Sequence, residues 1–330
     1  MWDNLVNIHD FGRLAEKVLQ GQGRKLFGKL MRPEQQRVVE TWKHTDGAPR
    51  HWGSIPAVRR RWNRMVTGQD DRTPRTHIAE TFLGGGATHA LSLGCGTGRN
   101  EMAWAETGAF SRIDAVDLSE PRIGNATQAA EERGLADILH FEAADIAKLA
   151  VEPGSYDVIV TEGILHHLTP LREHVERIHS MLRPGGFLIL NDYVGPSRFQ
   201  WTDAQLLAVN RLLALIPEER RRRWGSNLLK RRVHRPGRLS MYMHDPSEAV
   251  ESSNILPELD RRFEMLAVHP YGGSLLHLLF SDIAHHFLDN DDATVDILKL
   301  CFDAEDNFLE AGKQPSDFVY AVYCRKQQQC

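Results

Sequence analysis

From about residue 87 onward, short apolar runs alternate with amphipathic stretches. Ala90-Leu91-Ser92-Leu93, Ile113-Asp114-Ala115-Val116-Asp117, Ile138-Leu139-His140-Phe141, Tyr156-Asp157-Val158-Ile159-Val160 and Phe187-Leu188-Ile189-Leu190 read as strands. Helical spacing fills the intervals at about 99–107, 120–134 and 170–182. Strands that alternate with helices predict an α/β fold of βαβ units, its parallel sheet covered on both faces and its crossovers right-handed. After Gly195-Pro196 the alternation stops. Residues 200–250 read as helical and basic, two more helices are predicted at about 274–288 and 293–311, and two more strands at about 262–269 and 317–324. The expected organisation is a helical, basic N-terminal segment over 1–80 and a core over 81–195. A helical insertion over 196–255 follows, then the last core strands over 256–330, interrupted by a helical insertion at 272–313. Both insertions are expected to cap the core.

Composition narrows the class. The chain has 330 residues, 42% of them hydrophobic and 25% charged, which is the balance of an ordered globular protein. Its 40 Lys+Arg against 44 Asp+Glu leave a net charge of −4, which argues against a dedicated nucleic-acid protein. No apolar run approaches the roughly 20 residues that span a bilayer. Met1-Trp2-Asp3-Asn4 shows no basic stretch followed by an apolar one, so a secretory signal is not expected. Cys95, Cys301, Cys324 and Cys330 form no CxxC pair, so neither a zinc ribbon nor a disulfide framework is indicated, and a reducing, cytoplasmic setting is expected.

Two basic regions leave alternatives open. Val18, Leu26, Phe27 and Leu30 lie among Arg24, Lys25 and Lys29, which fits either a peripheral helix on a membrane surface or a helix packed on the core. The run from Arg220 to Arg223, with Lys230, Arg231, Arg232, Arg235 and Arg238, fits a solvated face, a site for an acidic acceptor, or an RNA contact. Further on, His277, Asp282, His285, His286 and Asp289 cluster, with Asp282 and His286 at i, i+4 on one predicted helical face. No HExxH or Cys/His spacing accompanies them, so a metal-free helix is expected.

The strongest local signal is Gly94-Cys95-Gly96-Thr97-Gly98, between the first core strand and a helix. Glycines there permit a tight turn and let backbone N–H groups approach a ligand. The spacing is G-x-G-x-G, and Arg99 stands where a dinucleotide-binding loop would carry its third glycine. The second strand ends in Asp117-Leu118-Ser119, where a carboxylate can accept both hydroxyls of a ribose or else cap the next helix. Ala144-Asp145-Ile146 follows the third strand, with an acid for an exocyclic amine and an apolar side chain for a ring face.

Together with Glu162-Gly163-Ile164-Leu165-His166-His167-Leu168 and Leu182-Arg183-Pro184-Gly185-Gly186, these segments resemble the class I S-adenosylmethionine-dependent methyltransferases over about residues 87–193. The resemblance implies a Rossmann-like sheet of seven strands in the order 3-2-1-4-5-7-6, with S-adenosylmethionine as cofactor. Its methionine end would lie on Gly94, Cys95, Gly96, Thr97 and Gly98. The ribose would meet Asp117 beside Leu118, the adenine would meet Asp145 and Ile146, and Glu162 would help position the ligand. One position departs from the family: Ser92 stands where an acid often precedes the loop. His166 and His167, after the fourth strand, are the candidate bases, and Asp192 and Tyr193, after the fifth, the second candidates. The leading expectation is methyl transfer to an oxygen of a small-molecule, glycan or lipid-linked acceptor. RNA or protein methylation and a non-catalytic, cofactor-binding regulatory role are the alternatives.

Overall fold

The computed structural model describes residues 49–84, 88–226, 228–312 and 315–326. The basic amphipathic segment around residues 18–30 lies outside the described residues. In chain order the regular elements are α1 (Pro56–Thr67), α2 (Pro74–Phe82), β1 (Thr88–Leu93), α3 (Arg99–Ala105), β2 (Phe110–Asp117), α4 (Glu120–Glu132), β3 (Leu139–Ala143) and β4 (Tyr156–Glu162). There follow α5 (Leu171–Met181), β5 (Leu182–Tyr193), α6 (Asp203–Leu215), α7 (Arg238–His244), α8 (Ile255–Arg262), β6 (Glu264–Pro270), α9 (Leu276–Phe280), α10 (Asp292–Glu310) and β7 (Phe318–Cys324). The chain divides into two compact units. Among the described residues, a sheet unit holds 60–194, 251–271 and 318–326, and an insertion unit holds 49–59, 195–250 and 272–317. The division assigns 60–80, the end of the N-terminal segment expected over 1–80, to the sheet unit, and residues 1–48 of that segment lie outside the described residues.

The sheet unit carries seven strands in the order β3-β2-β1-β4-β5-β7-β6. Strands β1 to β5 pair in parallel, and β7 runs antiparallel between β5 and β6. This is the strand order that the resemblance implies. Alternation along the strands builds the core: Leu91, Leu93, Ile159, Leu188, Leu190, Ala321 and Tyr323 share a cluster with Leu171, Val175 and Ile178 of α5 and with Ile255 and Leu259 of α8. The helical partners recur at three- and four-residue spacing, so each helix offers one apolar stripe. The turn expected at 182–186 lies within β5, where the register with β4 shifts between the pairs Tyr156–Leu182 and Val158–Phe187.

The insertion unit is less regular than expected. A capping box of Thr202 and Gln205 starts α6, and Pro217 bars its continuation past Ile216. Among the described residues of 216–237, the regular structure is the 3₁₀ turn Glu218–Arg221 and an isolated antiparallel bridge between Arg222 and Leu229. The helix expected at 274–288 is broken. α9 ends at Phe280, Asp282 turns the chain with φ 65°, and a 3₁₀ turn follows over Ala284–Phe287. The cause is a pair of charges from distant segments. Glu305 Oε1 accepts the amides of Leu275 and Leu276 at 2.9 and 3.0 Å. Buried Lys230 donates from Nζ to the carbonyls of Leu278, Leu279 and Ser281 at 2.8, 3.0 and 2.7 Å. Both ends of a five-residue helix are thus satisfied by side chains.

The break also separates Asp282 from His286, which share no helical face. Asp282 pairs with Arg223 at 3.3 Å, and His286 Nε2 lies 2.9 Å from the Arg222 carbonyl. The basic run is largely internal to this unit. Arg220 bonds Thr294 and Asp291, and Arg235 bonds the Trp201 carbonyl and Asp203, while Arg222, Arg231, Arg232 and Arg238 are exposed.

Candidate active site

The glycine loop joins β1 to α3. Gly94, Gly96 and Gly98 all have positive φ, at 73°, 55° and 74°. A Cβ on Gly94 would fall 2.6 Å from Ile164 and one on Gly98 2.7 Å from Phe141, so two of the glycines are required by close packing as well as by backbone conformation. The loop amides differ from the expectation of a ligand cradle. Gly94 and Cys95 donate to the Val116 carbonyl at 2.8 and 3.0 Å, and Gly98 donates to the Cys95 carbonyl at 3.0 Å. Thr97 is half-buried on the turn, and Cys95 is buried. Burial, with Glu101 and Asp117 nearby, pushes the Cys95 thiol up, so it stays neutral.

Asp117 closes β2 beside the loop. Its two oxygens accept the amides of Gly96 and Ser119, each at 2.9 Å. Leu118 next to it is 39% exposed, an apolar face in solvent. Asp145 accepts the Ala147 amide at 3.0 Å, and Ile146 packs against the core cluster together with Ile164.

Two features were not legible in the sequence. The first is Glu101, in the first turn of α3. It is buried, its Oε1 accepts the Ser92 hydroxyl at 2.7 Å, and its Oε2 has no hydrogen-bond partner among the described residues. Burial pushes its carboxyl up to about 7. A buried carboxylate thus lies against Ser92, the position where an acid often precedes the loop. The second is Arg75 of α2, which binds Glu162 through Nε at 3.0 Å and through Nη2. Glu162 also accepts the Trp104 indole N–H at 2.8 Å and an Asn191 amide N–H at 3.4 Å. The hydroxyl of buried Tyr271 donates to Asn191 Oδ1 at 2.7 Å. Glu162, expected to help position the ligand, is thus engaged by protein donors on both oxygens.

The four candidate catalytic residues come together at the ends of β4 and β5. Asp192 is buried, with Oδ1 2.5 Å from His166 Nδ1 and 2.7 Å from the Tyr193 amide. Its Oδ2 accepts the amides of Ile164 and Leu165 at 3.1 and 2.8 Å. The His167 ring lies 4.0 Å from that of His166, and the Tyr193 ring 6.4 Å from it, edge-on. Asp192 therefore sets the tautomer and orientation of His166, which presents Nε2 as the basic nitrogen when Nδ1 carries the proton.

Residues 91–190 match the family model described as a methyltransferase domain. The chain carries a class I S-adenosylmethionine-dependent methyltransferase domain. Over 157 residues it is 31% identical to the malonyl-[acyl-carrier protein] O-methyltransferase of Paenibacillus sp. (strain JDR-2), covering 43% of this chain and 56% of that protein. Over 105 residues it is 34% identical to the 27-O-demethylrifamycin SV methyltransferase of Amycolatopsis mediterranei (strain S699), covering 32% of this chain and 38% of that protein. In both relatives the matched part is less than two thirds of the protein's own length. A crystal structure of geranyl diphosphate C-methyltransferase from Streptomyces coelicolor A3(2) superposes with a TM-score of 0.53 at 14% identity, covering 89% of this chain and 98% of that one, and shares the fold.

The residues of this methyltransferase domain fit the cofactor. Asp117 places a carboxylate at the tip of β2. The unpartnered oxygen of Glu101 suits a cation, since a buried acceptor left unsatisfied costs roughly 1–3 kcal/mol. Among the described residues no helix is long and apolar enough to cross a membrane.

Proposed function

We propose that this chain transfers a methyl group from S-adenosylmethionine to a hydroxyl oxygen of a small-molecule, glycan or lipid-linked acceptor. The observation that carries this reading is the His166–Asp192 pair, a histidine held at Nδ1 by a buried carboxylate that three backbone amides also fix. The cofactor supplies an activated methyl group on a sulfonium, so the protein's work is orientation and proton transfer. Asp117 binds the ribose, Asp145 and Ile146 meet the adenine, and Glu101 receives the ammonium of the amino-acid end. His166 takes the acceptor's hydroxyl proton at Nε2, and Asp192 stabilises the imidazolium that results. Asp192 is a positioning residue, because its oxygens are spent on His166 and the backbone. Two relatives are named for O-methyl transfer, which supports oxygen as the accepting atom.

The test is transfer of labelled methyl from S-adenosylmethionine to a panel of hydroxyl-bearing acceptors. Turnover that depends on His166 supports the reading. Binding of the cofactor without turnover on any acceptor would favour a regulatory role, and label found only in RNA or protein would move the acceptor class.

A further inference from the structure

Arg75 lies outside the segment that matches the methyltransferase domain, which begins at residue 91. It is the second residue of α2, whose start is fixed by Pro74 and by Thr73 accepting the Thr76 amide. Its guanidinium is held on two sides. Nε and Nη2 engage the Glu162 carboxylate, and Nη2 also donates to Asn100 Oδ1 at 2.8 Å. Asn100 follows Gly98 by two residues and immediately precedes Glu101, so Arg75 reaches the loop at its α3 end. Nη1 donates to nothing among the described residues, and the Arg75 side chain keeps 20% exposure where Glu162 keeps 4%. Burial works against the charge, but Glu162 more than restores it, and Arg75 remains a cation.

A buried ion pair gains little over apolar packing when structure is its only role. This one leaves a fixed, partly exposed N–H pair beside the loop. A guanidinium held this way is pre-organised for a carboxylate. Resting on the cofactor reading above, we propose that Arg75 binds the carboxylate of the amino-acid end of S-adenosylmethionine, with Glu162 and Asn100 as positioning residues. The zwitterionic end is then recognised at both charges, its carboxylate by Arg75 and its ammonium by Glu101, from adjoining positions around Asn100.

Calorimetric titration of the full chain with S-adenosylmethionine and with decarboxylated S-adenosylmethionine separates the contacts, because the second compound keeps the ammonium, ribose and adenine and lacks only the carboxylate. The wild type is expected to prefer S-adenosylmethionine by roughly ten- to a hundredfold. Arg75→Gln should bind both compounds about equally, near the wild-type affinity for the decarboxylated one, and Arg75→Lys should keep part of the preference. A wild type without the preference, or an Arg75→Gln or Arg75→Lys variant that keeps it in full, overturns the assignment of Arg75. A wild type that binds neither compound overturns the cofactor reading itself.

Discussion

Two pairs of buried charges, one in each unit, are used in different ways. In the insertion unit, Lys230 and Glu305 are committed to the ends of α9, with three carbonyls on one and two amides on the other. In the sheet unit, Glu101 keeps one oxygen and Arg75 one nitrogen without a hydrogen bond among the described residues, although both lie beside the glycine loop. Burying polar groups costs free energy in both places, and only committed hydrogen bonds offset it within the protein. The difference separates charges that hold the fold from charges that await a ligand. Lys230 and Glu305 should affect stability, whereas Glu101, Arg75 and the His166 site should affect binding and turnover.

The largest expected effect is on rate. His166→Ala should lower methyl transfer by about 10²–10⁴-fold, the usual range for a lost general base, and leave the affinity for S-adenosylhomocysteine within about twofold. Steady-state kinetics beside calorimetry reads both quantities, and equal losses in each would make His166 a structural residue. Next comes Lys230→Met. Three carbonyls at the end of α9 would lose their donor, at a cost of about 3–5 kcal/mol. Amide hydrogen exchange should show lost protection in α9 with the β1–β4 amides unchanged, and unaltered protection in α9 would break the contrast between the units.

Much of the fold was legible because its signals are local. The five core strands are apolar runs, and each prediction overlaps an observed strand. The glycine loop and Asp117 were legible for the same reason, as a turn and an acid at a strand end. What escaped depends on residues far apart. Glu162 reads as an acid that helps position the ligand, and its engagement by Arg75, 87 residues earlier, leaves no local pattern to read. The helix predicted at 274–288 has suitable apolar spacing, yet Lys230 binds Leu278 across 48 residues and ends it early. Glu101 offered a faint signal, an acid in the first turn after the loop with a serine where an acid was expected. Sequence pattern alone does not show that the two side chains meet.

Glu101 gives the third test. Its carboxyl is raised from an ordinary 4.5 to about 7, so between those values the folded protein holds a proton that the unfolded chain has released. Stability from this group is therefore complete below about pH 4.5 and is lost as pH rises to about 7. Without ligand, Glu101→Gln should be more stable than the wild type by up to about 3 kcal/mol at pH 8, with the gap closing near pH 4.5. Asp317 in the insertion unit is the control. Burial also raises it to about 7, and its Oδ1 has no partner among the described residues. Asp317→Asn should show the same pH trend in denaturant titrations. Saturating S-adenosylhomocysteine should then abolish the advantage of Glu101→Gln and leave that of Asp317→Asn in place. An advantage that survives at Glu101 would mean that its carboxylate receives no ammonium.

The smallest effects bear on the two acids expected at the nucleoside. Asp117→Ala should weaken S-adenosylhomocysteine by about 1.5–3 kcal/mol, roughly ten- to a hundredfold. Part of that loss is intramolecular, because Asp117 also accepts the amides of Gly96 and Ser119, so the loop itself loses an anchor. Asp117→Asn sharpens the result. It keeps the size of the side chain and one carbonyl acceptor but removes the charge, so one of the two loop amides keeps its partner, and it should lose affinity with less damage to the loop than alanine causes. Asp145→Ala should cost about 1 kcal/mol, since a neutral amine meeting an acid on a half-exposed turn gains less than a diol meeting a charge at a strand end. Adenosine, which carries the sugar and the base without the amino-acid end, should report both substitutions and ignore Arg75→Gln. If instead Asp145→Ala proves the costlier change for adenosine, the ribose lies against β3 and the assignments of the two acids exchange.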